Sequence, residues 1–125
     1  MTTVRSAKAK GSSFEYDCQH SLNQRMHDVW RTSERGFQLQ YDLEDSSSIY
    51  ECKRLKSMSW NQAKKFFYKL KEISIPKGKS PWLLFKSNRQ PCLVMFEDTY
   101  EVLSVVEFKD AFGCDFEKHP STRKK

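Results

Sequence analysis

Asp42, Glu51 and Lys53 have the residue types and the spacing needed to work on a phosphate ester. Between them, Asp45-Ser46-Ser47-Ser48 is turn chemistry, because short polar side chains bond nearby backbone N–H groups. Residues 37–43 and 49–55 alternate apolar and polar on either side and read as two strands of a hairpin. A turn centred between Ser46 and Ser47 sets Asp45 against Ser48, Asp42 against Glu51 and Gln40 against Lys53. Alternation along a strand then puts Glu51 and Lys53 on one face, with Asp42 beside them at a Cβ separation of about 5 Å. Two carboxylates so placed repel unless a cation sits between them, and their hard oxygens suit Mg²⁺. A neighbouring lysine offsets phosphate charge and helps to orient or deprotonate an attacking water. The chemistry predicted is hydrolysis of a phosphodiester; an exposed hairpin face with one salt bridge is the alternative that the same residues allow.

The elements that must hold these groups follow from periodicity. Phe14, Cys18, Leu22 and Met26 recur at helical spacing behind a Ser12-x-x-Glu15 capping box, so a first helix is expected over 13–26. A short extended segment at 29–31 and the polar stretch 32–36 lead into the hairpin. Ser59-x-x-Gln62 is a second capping box, followed by the stripe Trp60, Ala63, Phe67 and Leu70, and this helix is expected to end near Ile73, before Pro76-Lys77-Gly78. Residues 82–85 and 92–96 read as buried strands, and Trp60, Phe66, Phe67, Trp82 and Phe85 as core. Residues 100–103 suggest another strand, and Ser104-x-x-Glu107 the opening of a short last helix. The expected fold class is α/β, a central mixed sheet flanked by helices in the order α-β-β-β-α-β-β. A flexible basic arm is expected over 1–11, one domain over 12–116 and a basic tail over 117–125.

At 125 residues, 38% hydrophobic and 14% aromatic, the chain can build one core, and a mean hydropathy of −0.78 excludes a membrane protein. The absence of an apolar run or leader predicts an intracellular protein, cytoplasmic or nucleoid-associated, of cellular or viral origin. Cys18, Cys52, Cys92 and Cys114 form no C-x-x-C pair and read as reduced core thiols, and His20, His27 and His119 lack partners for a zinc set. The formal charge of +6 conceals a partition. Residues 15–51 carry eight acids against three arginines, whereas 53–79 carry nine bases against Glu72 alone. A basic half attracts a polyanion, and a carboxylate cluster beside it suits a metal-dependent enzyme of phosphates.

The ordered set Glu15, Asp42, Glu51-Cys52-Lys53 and Gln62 resembles the PD-(D/E)xK nuclease superfamily. Within it, Lys10-Gly11-Ser12-Ser13-Phe14-Glu15 resembles the K-G-S-x-x-E opening of archaeal-type Holliday-junction resolvases. The similarity runs from about Lys10 to Phe96, and Tyr41 departs from it by standing where many members have proline. The resemblance implies a restriction-endonuclease-like core. It makes Asp42, Glu51 and the Cys52 carbonyl metal ligands, Lys53 the catalytic lysine, Glu15 a further acid at the metal, and Gln62 a group that orients water or phosphate. Gln62 and Glu15 also stand at capping positions, where each could do no more than close a helix. Arg31, Ser33 and Arg35 are implied DNA contacts, and Arg54, Lys56, Lys64, Lys65, Lys69 and Lys71 are expected to meet phosphates without reading sequence.

The function expected is therefore a Mg²⁺-dependent DNA endonuclease, with Mn²⁺ able to substitute, that resolves four-way junctions to 5′-phosphate and 3′-hydroxyl ends. A junction offers two equivalent strands, so a homodimer is expected by symmetry. Another nuclease of the superfamily, repair or restriction-like, and a non-catalytic nucleic-acid-binding protein are the alternatives.

Overall fold

A computed structural model describes residues 4–25, 28–35 and 40–120. Helix α1 (Val4–Leu22) leads to the short strand β1 (Trp30–Arg31) and a 3-10 turn at Thr32–Arg35. The strands β2 (Leu43–Glu44) and β3 (Ser48–Arg54) follow, then helix α2 (Trp60–Lys77). The chain ends with β4 (Ser80–Lys86), β5 (Leu93–Glu97), β6 (Leu103–Glu107) and helix α3 (Phe108–Phe112). The protein is α/β, with one six-stranded mixed sheet in the order β1-β2-β3-β4-β5-β6. Only β3 and β4 run parallel, with α2 as their crossover. No helix among the described residues is long and apolar enough to cross a membrane.

Each sheet face has its own core. Phe14, Cys18 and Leu22 of α1 and Phe108 and Phe112 of α3 pack with Tyr50, Leu84 and Val94. Ala63 and Phe67 of α2 pack on the opposite face with Leu83, Phe85 and Met95, and Leu70 joins Tyr41 and Ile49. Fully burying a side chain of this size contributes about 1.5–3 kcal/mol. The central strand β4 reads as a continuous apolar run, Trp82-Leu83-Leu84-Phe85, because both its faces are covered.

The hairpin pairs Leu43 with Tyr50 and Glu44 with Ile49, the register expected from its turn. Asp45 makes that turn by accepting the N–H groups of Ser47 (2.9 Å) and Ser48 (2.7 Å) and the Tyr50 hydroxyl (2.6 Å). The first strand of the hairpin is much shorter than expected: residues 40–42 form a bend, and Phe37 and Leu39 lie outside the described residues.

Helix α1 begins at Val4 rather than at Ser13 and ends at Leu22, so Ser12 lies inside it and does not cap it. Arg5, Ala7, Lys8, Ala9 and Lys10 are good helix formers, and Gly11 costs only about 1 kcal/mol in a helix interior. Residues 4–11, expected as an arm, continue the helix; Met26 and His27 lie outside the described residues. Helix α2 does use its capping box, with Ser59 Oγ accepting the Gln62 N–H and Gln62 Oε1 accepting the Ser59 N–H. It runs past Ile73 to Lys77 and stops at Gly78, whose φ of 64° favours glycine. Trp60, expected in the core, is 52% exposed at the first turn. Ser104 to Glu107 belong to β6, and the last helix opens at Phe108. The segment expected as a tail starts by folding back on α1: the Glu117 N–H bonds Ser21 Oγ (2.8 Å) and the His119 N–H bonds Asp17 Oδ1 (2.7 Å). Arg123, Lys124 and Lys125 lie outside the described residues. All four cysteines are free, Cys18 and Cys92 buried and Cys52 and Cys114 partly so.

Candidate active site

Strand β2 ends within two residues while β3 continues to Arg54, so the sheet forks beside Glu51. Asp42 stands in the fork. Its N–H donates to the Tyr50 carbonyl (3.0 Å), and its own carbonyl accepts the Thr32 N–H (3.0 Å). Asp42 Oδ2 accepts the Cys52 N–H at 2.8 Å, a bond that a longer β2 would have made with its backbone. A strand residue turns its N–H and C=O to the same side, so the Cys52 carbonyl also points into the fork. On alternate positions, Glu51 and Lys53 share the α2 face with Ile49, while the Cys52 thiol joins Cys18 in the opposite core. Burial pushes the Cys52 thiol up to about 12, which makes it inert at neutral pH.

Glu15 approaches from α1, next to the buried Phe14. Its carboxyl is pushed up to about 8 by burial and then by hydrogen bonding to and repulsion from Asp42, against the pull of Arg31. Glu51 is pushed up to about 9, again by burial first and by Asp42 second, with Lys53 lowering it and Glu15 raising it further. Two carboxyl groups, Glu15 and Glu51, thus meet Asp42, so three carboxyls are gathered at the fork. Among the described residues, no group of three or more His, Cys, Asp and Glu is already arranged to hold a metal ion. Arg31, expected at the DNA surface, is buried instead. Its Nη2 lies 3.4 Å from Glu15 Oε2, and its guanidinium stacks 3.9 Å from the centre of the Tyr16 ring. It positions Glu15.

Lys53 is held by Phe66, over whose ring its Nζ sits at 4.6 Å. Gln62 and Lys69 lie one helical turn from Phe66 on α2. Gln62 Oε1 accepts the Ser59 N–H, the capping role its spacing also allows. Lys56, Lys65, Lys69 and Ser33 are exposed, and Lys64 is half-buried. Two other expected phosphate contacts are engaged. Arg54 Nη1 donates to the Leu55 carbonyl at 3.1 Å, where β3 ends, and Lys71 Nζ pairs with Glu97 at 2.7 Å. The Arg35 side chain lies outside the described residues.

A second cluster fixes the loop that carries Asp42. Glu44 is buried, accepts the Tyr41 hydroxyl at 2.7 Å, and accepts Lys79 Nζ, which also donates to the Asp45 carbonyl at 2.8 Å. Burial alone would raise the Glu44 carboxyl, but Lys79, Tyr41 and Lys77 hold it below the usual carboxylate range. Thr32 Oγ1 ties down the Tyr41 carbonyl at 2.9 Å. Sequence reasoning missed Thr32, Phe66 and the Glu44–Lys79 pair. Glu44 and Lys79 are 35 residues apart, and no local pattern couples them.

Comparison of the chain with family models, with curated proteins and with solved structures finds no match.

The two raised carboxyls set a pH dependence. Glu15 and Glu51 bind protons more tightly folded than unfolded, so between about pH 4.5 and 9 the folded state holds the extra protons and stability falls as pH rises. Melting in EDTA is expected several degrees lower at pH 9 than at pH 5.5, and Mg²⁺ is expected to remove most of that difference at the alkaline end. A flat profile in EDTA would mean that the carboxyls are not confined together.

Proposed function

We propose that the protein is a divalent-metal-dependent DNA endonuclease with a restriction-endonuclease-like core, most specifically a resolvase of four-way junctions acting on phosphodiesters. The observation that supports this reading is the convergence of Glu15, Asp42 and Glu51 at a fork in the sheet, with Lys53 on the same strand face as Glu51. Burial and mutual repulsion push two of these carboxyls up to about 8 and about 9, a perturbation that favours a site drawing in a cation. The residue types suit a hard cation, which would draw together carboxylate oxygens of Asp42 and Glu51 and the Cys52 carbonyl directed into the same fork, with Glu15 behind them.

Mg²⁺ bound there, with Mn²⁺ able to substitute, would supply charge stabilisation at phosphorus and an acidified water. The chain's own groups do the rest. Lys53, kept in place by Phe66, lies where it can neutralise charge growing on the non-bridging phosphate oxygens. Arg31 holds the Glu15 carboxyl toward the fork, where it can accept a hydrogen bond from the attacking water. Lys56, Lys65 and Lys69, exposed on the α2 side, meet the phosphate backbone and add affinity without sequence preference.

The test is cleavage of a labelled synthetic four-way junction and a matched linear duplex, in Mg²⁺ or EDTA, by wild type and Lys53→Met. Paired nicks in the junction alone, dependent on Mg²⁺ and reduced at least about 100-fold by Lys53→Met, are expected. Equal cutting of the duplex would keep the nuclease and remove the resolvase. Binding of both substrates with cleavage of neither would leave a nucleic-acid-binding protein.

A further inference from the structure

The sheet has two edges, and only one is guarded. Strand β1 is two residues long and runs straight into a 3-10 turn. Strand β6 is five residues, Leu-Ser-Val-Val-Glu, with no proline, no lysine, an unbroken register against β5, and its one charge at the end. Natural edges ordinarily carry such devices to prevent pairing with another chain.

Two bonds fix which way the β6 backbone faces. The Asp98 N–H reaches the Val102 carbonyl (3.0 Å), and the Phe108 N–H reaches the Cys92 carbonyl (2.9 Å). With the β5–β6 register, Ser104 and Val106 must exchange their bonds with Phe96 and Val94. Leu103 and Val105 therefore turn their N–H and C=O groups away from the sheet, as does the Glu107 N–H, while the Glu107 carbonyl opens α3; among the described residues no strand lies beyond them. The side chains of Leu103 and Val105 are only partly covered by the α2-side core, and Val102 beside them is 55% exposed.

We propose that β6 is the interface of a homodimer in which two copies pair antiparallel about a two-fold axis through Val105, joining their sheets into one. The edge is self-complementary in that register. Leu103 faces Glu107 of the second copy, and Val105 faces itself. No like charges meet on the axis. Beyond the strand, the same two-fold brings the turn carrying exposed Glu101 to the start of α3, carrying exposed Lys109, twice over. That charge match selects a second copy of this chain over an unrelated strand. Because the axis is perpendicular to the sheet, both α2 helices, and both Lys53 faces, come to lie on the same side.

The proposal is independent of the activity proposed above and is tested by mass. Sedimentation of the full chain over a concentration series should give a species of twice 14.8 kDa. Val105→Pro deletes an outward N–H that the β5 ladder does not use, and Val105→Lys places two cations on the axis. Both should raise the dimer dissociation constant at least tenfold with the circular dichroism spectrum retained. Lys109→Glu should weaken the dimer and the double exchange Glu101→Lys with Lys109→Glu should restore it, a rescue that does not depend on either Val105 variant folding. A wild type that is monomeric throughout, or a dimer indifferent to Val105→Lys and to the charge exchange, would overturn it.

Discussion

Replacing Glu51 by glutamine is expected to abolish Mg²⁺-dependent cleavage and, in the same protein, to raise the melting temperature in EDTA at pH 8. The two effects have one origin. Glu51 is confined beside Asp42 and Glu15, and its burial and their repulsion push its carboxyl up to about 9. A glutamine keeps the shape, loses the charge and can donate a hydrogen bond to Asp42. At pH 8 the wild type must take up a proton at Glu51 on folding, and glutamine avoids that cost, which is on the order of 1–3 kcal/mol and corresponds to a rise of several degrees in a chain this size. The loss of one ligand oxygen and of the anion that draws the cation should reduce cleavage by at least about 1,000-fold. The sign depends on pH: below about pH 4.5 Glu51 is protonated folded or unfolded, and the stability gain should vanish. A Glu51→Gln protein that melts lower than wild type at pH 8 would make Glu51 a structural residue and remove the main support for the nuclease reading.

The largest loss of stability is expected from Glu44→Ala. The mutation removes the acceptor for both the Tyr41 hydroxyl and Lys79 Nζ at a buried position. Deleting one partner of a buried pair costs about 3–5 kcal/mol, toward the lower end here because Lys79 keeps the Asp45 carbonyl. That is a third or more of the roughly 5–15 kcal/mol on which a domain of this kind ordinarily stands. Chemical denaturation at pH 7 should read it directly. Since Glu44 is held below the usual carboxylate range, its contribution is present above about pH 4.5 and is lost as pH falls further, opposite in direction to Glu15 and Glu51. Changing the pair together, as Glu44→Leu with Lys79→Met, should recover most of the loss. A cost under about 1 kcal/mol for the single change would place the pair among weak surface contacts.

Features built from neighbours in the chain are legible in the residues themselves. The Asp45-Ser46-Ser47-Ser48 turn carries its own acceptor, so the hairpin register and the meeting of Asp42 with Glu51 follow from local chemistry. Ser59 and Gln62 close α2 as their spacing implies. The same motif at Ser12 and Glu15 does not start α1, because the residues upstream are themselves helix formers; the box is a signal only where the preceding chain resists a helix. The period-two stretch over 37–43 overstates the strand, since alternation does not reveal that the Asp42 carboxylate takes the Cys52 N–H in place of a ladder bond. Counts of basic residues likewise do not show which cations are spent internally. Arg31 turns to Glu15 and Lys71 to Glu97, partners supplied by distant parts of the chain.

The fork also dictates an order of assembly. The Asp42–Cys52 bond spans ten residues, the Arg31–Glu15 bond sixteen, and the Lys79–Glu44 bond thirty-five. Loop-closure entropy rises with span, so the turn segment that presses Asp42 against Glu51 is the least costly to form and α2 docking the most. The electrostatic conflict is thus installed at the start of folding, before the helices that shelter it arrive. Protons taken up at that moment are expected to ease the first step, so refolding rates should depend on pH as stability does.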